Sequence, residues 1–479
     1  MKKIFLSLGL ALSTLNHSAL AFYTDSTPQL EIPEIGSGVG FIDQQKEKFI
    51  GEKVYREVHR QLPILLDPWL EDQFSQVFSQ ILGQTQLGQP VGLVVVKDPQ
   101  INAFAVPGGL FALNTGMVTS AKNMDEVVGV MAHEIAHVTQ RHYSRSQEAF
   151  KGQGLLALAG ILVGAAVAAK GDGDIGGAVM MGTQAAMMDR QLNYSRNQER
   201  EADRIGMQFM SGAGYNPQAM ADFFETMNRS RSFVSYMPDF WLTHPLTSER
   251  MSEARLRANQ FPKVAYSRSQ AEFDVIKWYA AVLTNQSNER ELQILVNQNK
   301  YAGMLALATF YLQQGDYDKA QQQLDKAKQL NAEHTLFVLL QTELYLQQNK
   351  VDAAYNTVIA KQRIAPESRA LSLKLAKVYV HQNQPQQAEK LANRFIQKND
   401  RDIVAWQILQ QAANLETTNP MRTVNVLRNR AEVEYWSGAE DSAIKSLLHA
   451  QRLSKDNQSM SAKIESRLKT MQSERQMKI

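Results

Sequence analysis

Met131-Ala132-His133-Glu134-Ile135-Ala136-His137-Val138 sets two histidines around a glutamate in the pattern H-E-x-x-H. The start of the helix that carries it is legible. Asn123 has the chemistry of an N-cap and Glu126 follows three residues on, the spacing of a reciprocal capping box. Val127, Val128, Val130, Met131, Ile135 and Val138 give the helix enough apolar bulk to be buried. At i and i+4 both imidazoles leave one face about one turn apart, a separation that suits a single tetrahedral Zn²⁺. Glu134 is turned about 100° away, beside that position rather than on it, where a carboxylate can act as general base. The plain alternative is a solvated helix with two unrelated histidines, and residues downstream decide against it.

The chain has 479 residues, 44% hydrophobic and 21% charged, ordinary for globular protein and long enough for two or three domains. Lys2 and Lys3, the apolar run Ile4–Leu15 and Ala19-Leu20-Ala21 make the three parts of a secretory leader over residues 1–21. The run is short for a membrane span, and no cysteine follows the cleavage site to carry a lipid. Losing the leader, with its two lysines and no acid, takes the formal charge from +3 to +1, which gives no electrostatic case for nucleic acid. With no cysteine at all, an exported chain has no disulfides, and zinc must be held by histidine and carboxylate. These features describe an exported globular protein, most simply periplasmic.

Residues 22–40, with Pro28, Pro33, Gly36, Gly38 and Gly40, read as an extended lead-in, and 42–61 and 67–83 as helices. Val91–Val96, Ile101–Val106 and Gly109–Leu113 read as strands, with Pro107-Gly108-Gly109 as a turn. An open edge of that sheet could receive a substrate backbone by β-addition, or be plain structure. Gly154–Ala169 is the most apolar stretch after the leader. With Gly176–Met188 it predicts a hairpin of two helices, each too short to span a bilayer. Burial against the catalytic core, contact with a membrane surface and a share of a substrate groove stay open for residues 154–188.

Ser195-Arg196-Asn197-Gln198-Glu199-Arg200-Glu201-Ala202-Asp203 repeats the capping-box spacing at Ser195 and Gln198, predicting a helix from there to about Gly212. Glu199 and Asp203 share a face, and Glu201 points to nearly the opposite side. Such a helix offers what a two-histidine site lacks. Zinc would have His133, His137 and Glu199, with one position left for water, and Asp203 could hydrogen-bond a ligand histidine. His244 sits in Thr243-His244-Pro245, a loop ahead of a helix from about Ser248, and by pattern alone has only a turn role. His142 falls half a turn round the helix from His133, which excludes it from the site. His17, His59, His334, His381 and His449 have no partner pattern.

Beyond residue 300 the chain repeats. Tyr311, Tyr345 and Tyr379 step by 34, as do Ala320, Ala354 and Ala388, and Ala308, Thr342 and Ala376. That is the tetratricopeptide period, with small residues where paired helices touch. Units are expected at about 301–334, 335–368 and 369–402, with a fourth at 424–457 marked by Ala431, Gly438, Ala443, Leu447 and Ala450. Residues 400–423 are expected to break the spacing, and 266–300 to be a helical lead-in or a degenerate first unit. The domains are then the leader, a metalloprotease domain over 22–265 and a repeat domain over 266–479. The fold class is mainly α, an α+β zincin-like domain with a small sheet followed by a helical solenoid.

Over roughly residues 42–260 these pieces resemble the HtpX-like and CAAX-prenyl-protease-like zinc metalloendopeptidases. The matching stretches are Asn102-Ala103-Phe104-Ala105-Val106-Pro107-Gly108-Gly109, His133–His137, Glu199-Arg200-Glu201-Ala202-Asp203 and His244-Pro245. The leader and the tetratricopeptide array are similar to those of the family's periplasmic branch, a likeness covering nearly the whole chain. The resemblance implies one Zn²⁺ per chain, held by His133, His137 and Glu199, with Glu134 as general base. It implies that His244 approaches the zinc from a mobile loop. As a fourth protein ligand it would take the water position and silence hydrolysis. Either His244 or Arg250 could serve an oxyanion once the loop opens. Also implied is a role in assembly, maturation and quality control of outer-membrane β-barrel proteins, alongside the β-barrel assembly machinery and the lipopolysaccharide translocon. Family members with true membrane helices carry extra spans, and this chain departs there. Two readings from other classes stand beside the endopeptidase: a repeat-built chaperone or adaptor with secondary proteolysis, and a zinc-stabilised scaffold, for which an intact Glu134 would have no use.

Overall fold

A computed structural model describes residues 44–88, 90–106, 108–142, 184–231, 244–262, 264–265 and 267–476. The expected leader, the lead-in and residues 154–183 of the apolar hairpin lie outside the described residues. No described helix is long and apolar enough to cross a membrane.

Helices α1 (Gln44–Gln61) and α2 (Pro68–Leu82) precede three strands, β1 (Gly92–Val96), β2 (Ala103–Val106) and β3 (Leu110–Asn114). Asp67 caps α2 by accepting from Leu70 N at 2.8 Å, and Pro68 sits where a missing N–H costs nothing. β3 lies in the middle of the sheet, parallel to β1 and antiparallel to β2. Gly108 (φ 87°) and Gly109 (φ 75°) make the β2–β3 turn in left-handed backbone, which only glycine adopts freely. The outer edge of β1 is covered, since Leu65 N donates to Val95 O and Lys97 N to Pro63 O, each at 2.8 Å. The outer edge of β2 is paired with no strand among the described residues. Under the sheet, Ile50, Val54 and Val58 of α1 pack on Val94, Phe104, Val106 and Leu110.

After α3 (Thr115–Ser120) comes α4 (Met124–Thr139), the H-E-x-x-H helix, buried at every residue from Met124 to Ala136. Its start differs slightly from a reciprocal box. Glu126 N donates to Asn123 Oδ1 at 3.0 Å, but the Glu126 carboxylate accepts from Lys122 N at 2.8 Å, one residue earlier. Against α4 lie α5 (Gln184–Gly212) and α6 (Gln218–Arg231), and α7 (Ser248–Ala258) packs on both of these. α5 corrects the expected boundary, for it is already helical at Gln184 and Ser195 is interior. The run Gln184-Ala185-Ala186-Met187-Met188 is rich in strong helix formers, and that summed propensity outweighs a local capping signal. Gln198 instead donates its side-chain amide to His142 O at 2.9 Å.

Two glycines bring these helices together. A Cβ on Gly206 of α5 would stand 3.1 Å from Ala132 C and His133 N of α4, and one on Gly129 would stand 3.0 Å from Met220 of α6. Both contacts are closer than ordinary van der Waals distance, so the helix axes approach further than alanine would allow.

From Gln270 the described chain is helical throughout: α8 (Gln270–Leu283), α9 (Glu289–Asn297), α10 (Tyr301–Gln314), α11 (Tyr317–Asn331), α12 (Thr335–Gln347), α13 (Val351–Ile364), α14 (Arg369–His381), α15 (Pro385–Ile396), α16 (Ile403–Leu415), α17 (Arg422–Trp436), α18 (Glu440–Leu453) and α19 (Gln458–Gln476). The starts of α10, α12, α14 and α16 step by 34, as do those of α11, α13 and α15. Gly315, Asn349 and Asn383, all with left-handed φ, turn the chain at the same step. Ala320, Ala354 and Ala388 are wholly buried where helices meet. The expected break over 400–423 is narrower than the sequence suggested. Ile403–Leu415 keeps the period, and the slip of three residues falls in the turn before Arg422.

Two arginines, Arg369 half-buried and Arg56 buried, fasten this array to the first helices. Arg369 donates to Asp402 at 2.6 and 2.9 Å and to Glu71 of α2 at 2.8 Å. Arg56 of α1 donates to Glu440 at 2.8 Å and lies 4.4 Å over the Tyr435 ring.

Candidate metal centre

α4 turns His133 and His137 toward α5, and the close crossing at Gly206 brings Glu199 up to both. His133 Nε2 lies 3.0 Å from His137 Nε2 and 3.3 Å from Glu199 Oε2, while His137 Nε2 lies 3.3 Å from Glu199 Oε1. His244, buried ahead of α7, completes the group, its Nδ1 3.4 Å from His133 Nε2 and 3.1 Å from both Glu199 oxygens. Donors about 2.0–2.1 Å from a tetrahedral zinc stand about 3.3 Å from one another. With either Glu199 oxygen as its donor, four of the six edges measure 3.0–3.4 Å, close to the length such an ion requires, and all four donors fall within 4.8 Å of one another. The residues fit a single zinc ion.

Electrostatics favour the same occupant. Burial works against a charged His133, but Asp203, with Oδ1 2.9 Å from His133 Nδ1, and Glu199 outweigh it and lift the imidazole to about 9. Burial pushes His137 down to about 3 in spite of Glu199, leaving a neutral ring with a free lone pair. Burial would raise Glu199, yet His244, Arg250 and His137 hold it well below the carboxylate range. Asp203 is likewise held low, by Arg250 and His133. The site thus offers two ionised carboxylates and one neutral imidazole, and a cation entering it displaces the proton on His133. Glu134 lies beside the group, raised by burial against the pull of His244 and His133. Its Oε1 is buried, has no hydrogen-bond partner among the described residues, and sits 3.4 Å from His244 Nε2.

Arg250 differs from the sequence reading. Suggested there for an oxyanion or substrate, it is buried and points its donors at protein groups. Its Nε and Nη2 grip Asp203 at 2.7 and 2.8 Å, and Nη1 reaches Glu199 Oε2 at 2.8 Å and Pro245 O at 3.2 Å. In this arrangement it braces the two carboxylates.

His142 differs as well. α4 stops at Thr139, so half a turn of further helix does not separate His142 from the site. Its Nδ1 lies 2.9 Å from His137 Nδ1, and its Nε2 lies 3.1 Å from Glu201 Oε2. Neither His142 nor Glu201 is visible as a site residue from spacing on an ideal helix. Gly206, which permits the crossing, carries no motif signal either.

Residues 65–258 match the sequence pattern of peptidase family M48. The chain is 32% identical over 400 residues to the putative beta-barrel assembly-enhancing protease of Vibrio cholerae, covering 80% of this chain and 81% of that one. It is 28% identical over 459 residues to the beta-barrel assembly-enhancing protease of Escherichia coli K12, covering 94% and 92%. The mitochondrial metalloendopeptidase OMA1 of Schizosaccharomyces pombe is 29% identical over 211 residues, 43% of this chain and 59% of that protein. The H-E-x-x-H helix, the carboxylate helix and the buried donor set all fall inside the matched region, and the chain belongs to peptidase family M48, as a metalloendopeptidase of the beta-barrel assembly-enhancing protease type.

Proposed function

We propose that the chain is a zinc endopeptidase of the periplasm that acts in assembly and quality control of outer-membrane β-barrel proteins, cleaving clients that stall or misfold. The observation that carries the chemistry is the four-donor cluster beside a buried Glu134 oxygen that takes no hydrogen bond among the described residues. The client class comes from the relatives' names together with a likeness running through 94% of the chain. His133, His137 and Glu199 are the ligands. Zinc, when bound, supplies Lewis-acid polarisation of the scissile carbonyl and acidifies the attacking water. Glu134 takes the proton as the water oxygen bonds to the carbonyl carbon, and its raised pKa suits it to hand that proton to the amine as the C–N bond breaks. Asp203 and Arg250 hold His133 and Glu199 in place. The edge of β2, paired with no strand among the described residues, is suited to an extended client backbone.

His244 is the fourth donor and a latch. With it in place all four donor positions are side chains, so the resting enzyme is latent, and His244→Ala raises cleavage. Unchanged or lower cleavage by that variant would remove the latch. The helices from α10 onward are a tetratricopeptide array that docks the client, the β-barrel assembly machinery or the lipopolysaccharide translocon. The function is tested by offering the full-length enzyme an unfolded outer-membrane β-barrel protein and an unfolded soluble protein at equal concentration. Preferential cleavage of the barrel protein is expected, and equal cleavage would refute the client assignment.

A further inference from the structure

α4 ends abruptly, and the turn just beyond it takes no part in the proposed hydrolysis. Gln140 N closes on Ala136 O at 2.9 Å, Arg141 N closes on Val138 O at 3.0 Å, and Arg141 takes a left-handed backbone with φ 50°. That conformation is uncommon for a residue other than glycine. Its effect is to turn the chain so that buried His142 lies across His137, ring centroids 4.8 Å apart. Gln198 fixes the turn from α5 through its 2.9 Å hydrogen bond to His142 O.

We propose that His142 is the positioning residue for His137 and that Glu201 fixes its proton, so that the relay Glu201–His142–His137 does for the second histidine what Asp203 does for the first. The proposal rests on the reading of His137 as a zinc ligand through Nε2. A neutral imidazole carries one N–H. His137 Nε2 faces the donor set, 3.0 Å from His133 Nε2, so its lone pair belongs there and its proton on Nδ1. That Nδ1–H needs an acceptor, and His142 Nδ1 stands 2.9 Å away. It can accept only if the His142 proton is on Nε2, where Glu201 Oε2 receives it at 3.1 Å. Each proton fixes the next, and the chain ends on a carboxylate. Without the relay His137 can move its proton to Nε2 or turn its ring, and either change removes a donor from the metal. α5 then supplies one ligand, Glu199, and the carboxylate behind each histidine, Asp203 and Glu201.

The test is Zn²⁺ affinity of the full-length chain, measured by competition with a chromophoric chelator, with the melting temperature in EDTA reporting the fold. Losing an outer hydrogen-bond partner of a metal ligand costs about 10–100-fold in affinity, and His142→Ala is expected to show that loss with its EDTA melting temperature unchanged. His142→Gln, whose amide oxygen can accept from His137 Nδ1–H, recovers most of it. Glu201→Gln keeps the ring but gives up the charge, and shows a smaller loss of the same sign. Wild-type affinity in His142→Ala, or no recovery in His142→Gln, would overturn the proposal. Should His142→Ala fail to fold, Glu201→Gln decides, and unchanged affinity there overturns it. His133→Ala separates the two levels. If it too keeps wild-type affinity, the metal centre itself is misread, whereas loss in His133→Ala without loss in His142→Ala sinks the relay alone.

Discussion

Arg250→Ala is the sharpest perturbation of the scaffold behind the metal centre. The guanidinium makes two short hydrogen bonds to Asp203 and a third contact to Glu199, whose residues are only 4% and 2% exposed. Removing it leaves two buried carboxylates beside each other, and breaking a buried pair from one side costs about 3–5 kcal/mol. An exposed pair is worth at most about 1 kcal/mol. Arg255, bonded to Asp222 and Glu225 at 2.6 Å but a third exposed, is the internal comparison. Each kcal/mol moves the melting temperature of a unit of about 150–250 residues by about 2–4 °C and that of a larger unit by less, so Arg250→Ala should fall by several degrees. Arg255→Ala should scarcely move. Arg250→Lys keeps the charge but cannot hold both carboxylates in one planar fork, and should fall between them. The assay is thermal melting of the four proteins in EDTA, which removes metal as a source of stabilisation. If Arg250→Ala melts with Arg255→Ala, the bracing role is wrong.

Gly206→Val pushes α5 off α4. Overpacking costs about 1–3 kcal/mol, and because Glu199 rides the same helix, Zn²⁺ affinity should drop alongside the melting temperature. Arg56→Ala leaves Glu440 and Glu474 without their buried partner and should free α1 from the last helices, seen as faster limited proteolysis between the two regions. Glu71→Gln tests a pH effect at the other fastening. Burial lifts Glu71 to about 7 and Asp72 to about 6 although Arg369 opposes it. A carboxyl raised above its unfolded value stabilises at low pH, and that contribution is lost as pH rises through the folded value. The stability of wild type relative to Glu71→Gln, read from urea midpoints, should therefore decrease through that range. A difference independent of pH would contradict the assignment.

Local features were legible in the sequence. The N-cap at Asn123, the two histidines one turn apart and the 34-residue step are short-range patterns that a single helix or hairpin enforces. The features that escaped it depend on tertiary contact. Arg250 reads as a loose cation until α7 brings it to Asp203, 47 residues earlier in the chain. His142 was placed by an ideal helix, and only the left-handed Arg141, unmarked by glycine or proline, returns it to the site. Ser195 looked like a cap because capping is a local rule, while the helix formers before it act cumulatively. The slip before Arg422 reads in the sequence as a wider break because Gln410 and Ala413 stand where the step calls for a small residue and a tyrosine.

The central claim, one zinc with Glu134 as base, is tested most directly by Glu134→Gln. The chain and this variant, each in wild-type and His244→Ala backgrounds, are assayed for bound zinc and for cleavage of an unfolded outer-membrane β-barrel protein. Loss of a positioned general base costs about 10²–10⁴-fold in rate. One zinc per chain is expected in all four proteins, and cleavage only where Glu134 is present. Cleavage by the zinc-loaded Glu134→Gln proteins at the rate of their Glu134 counterparts would contradict it.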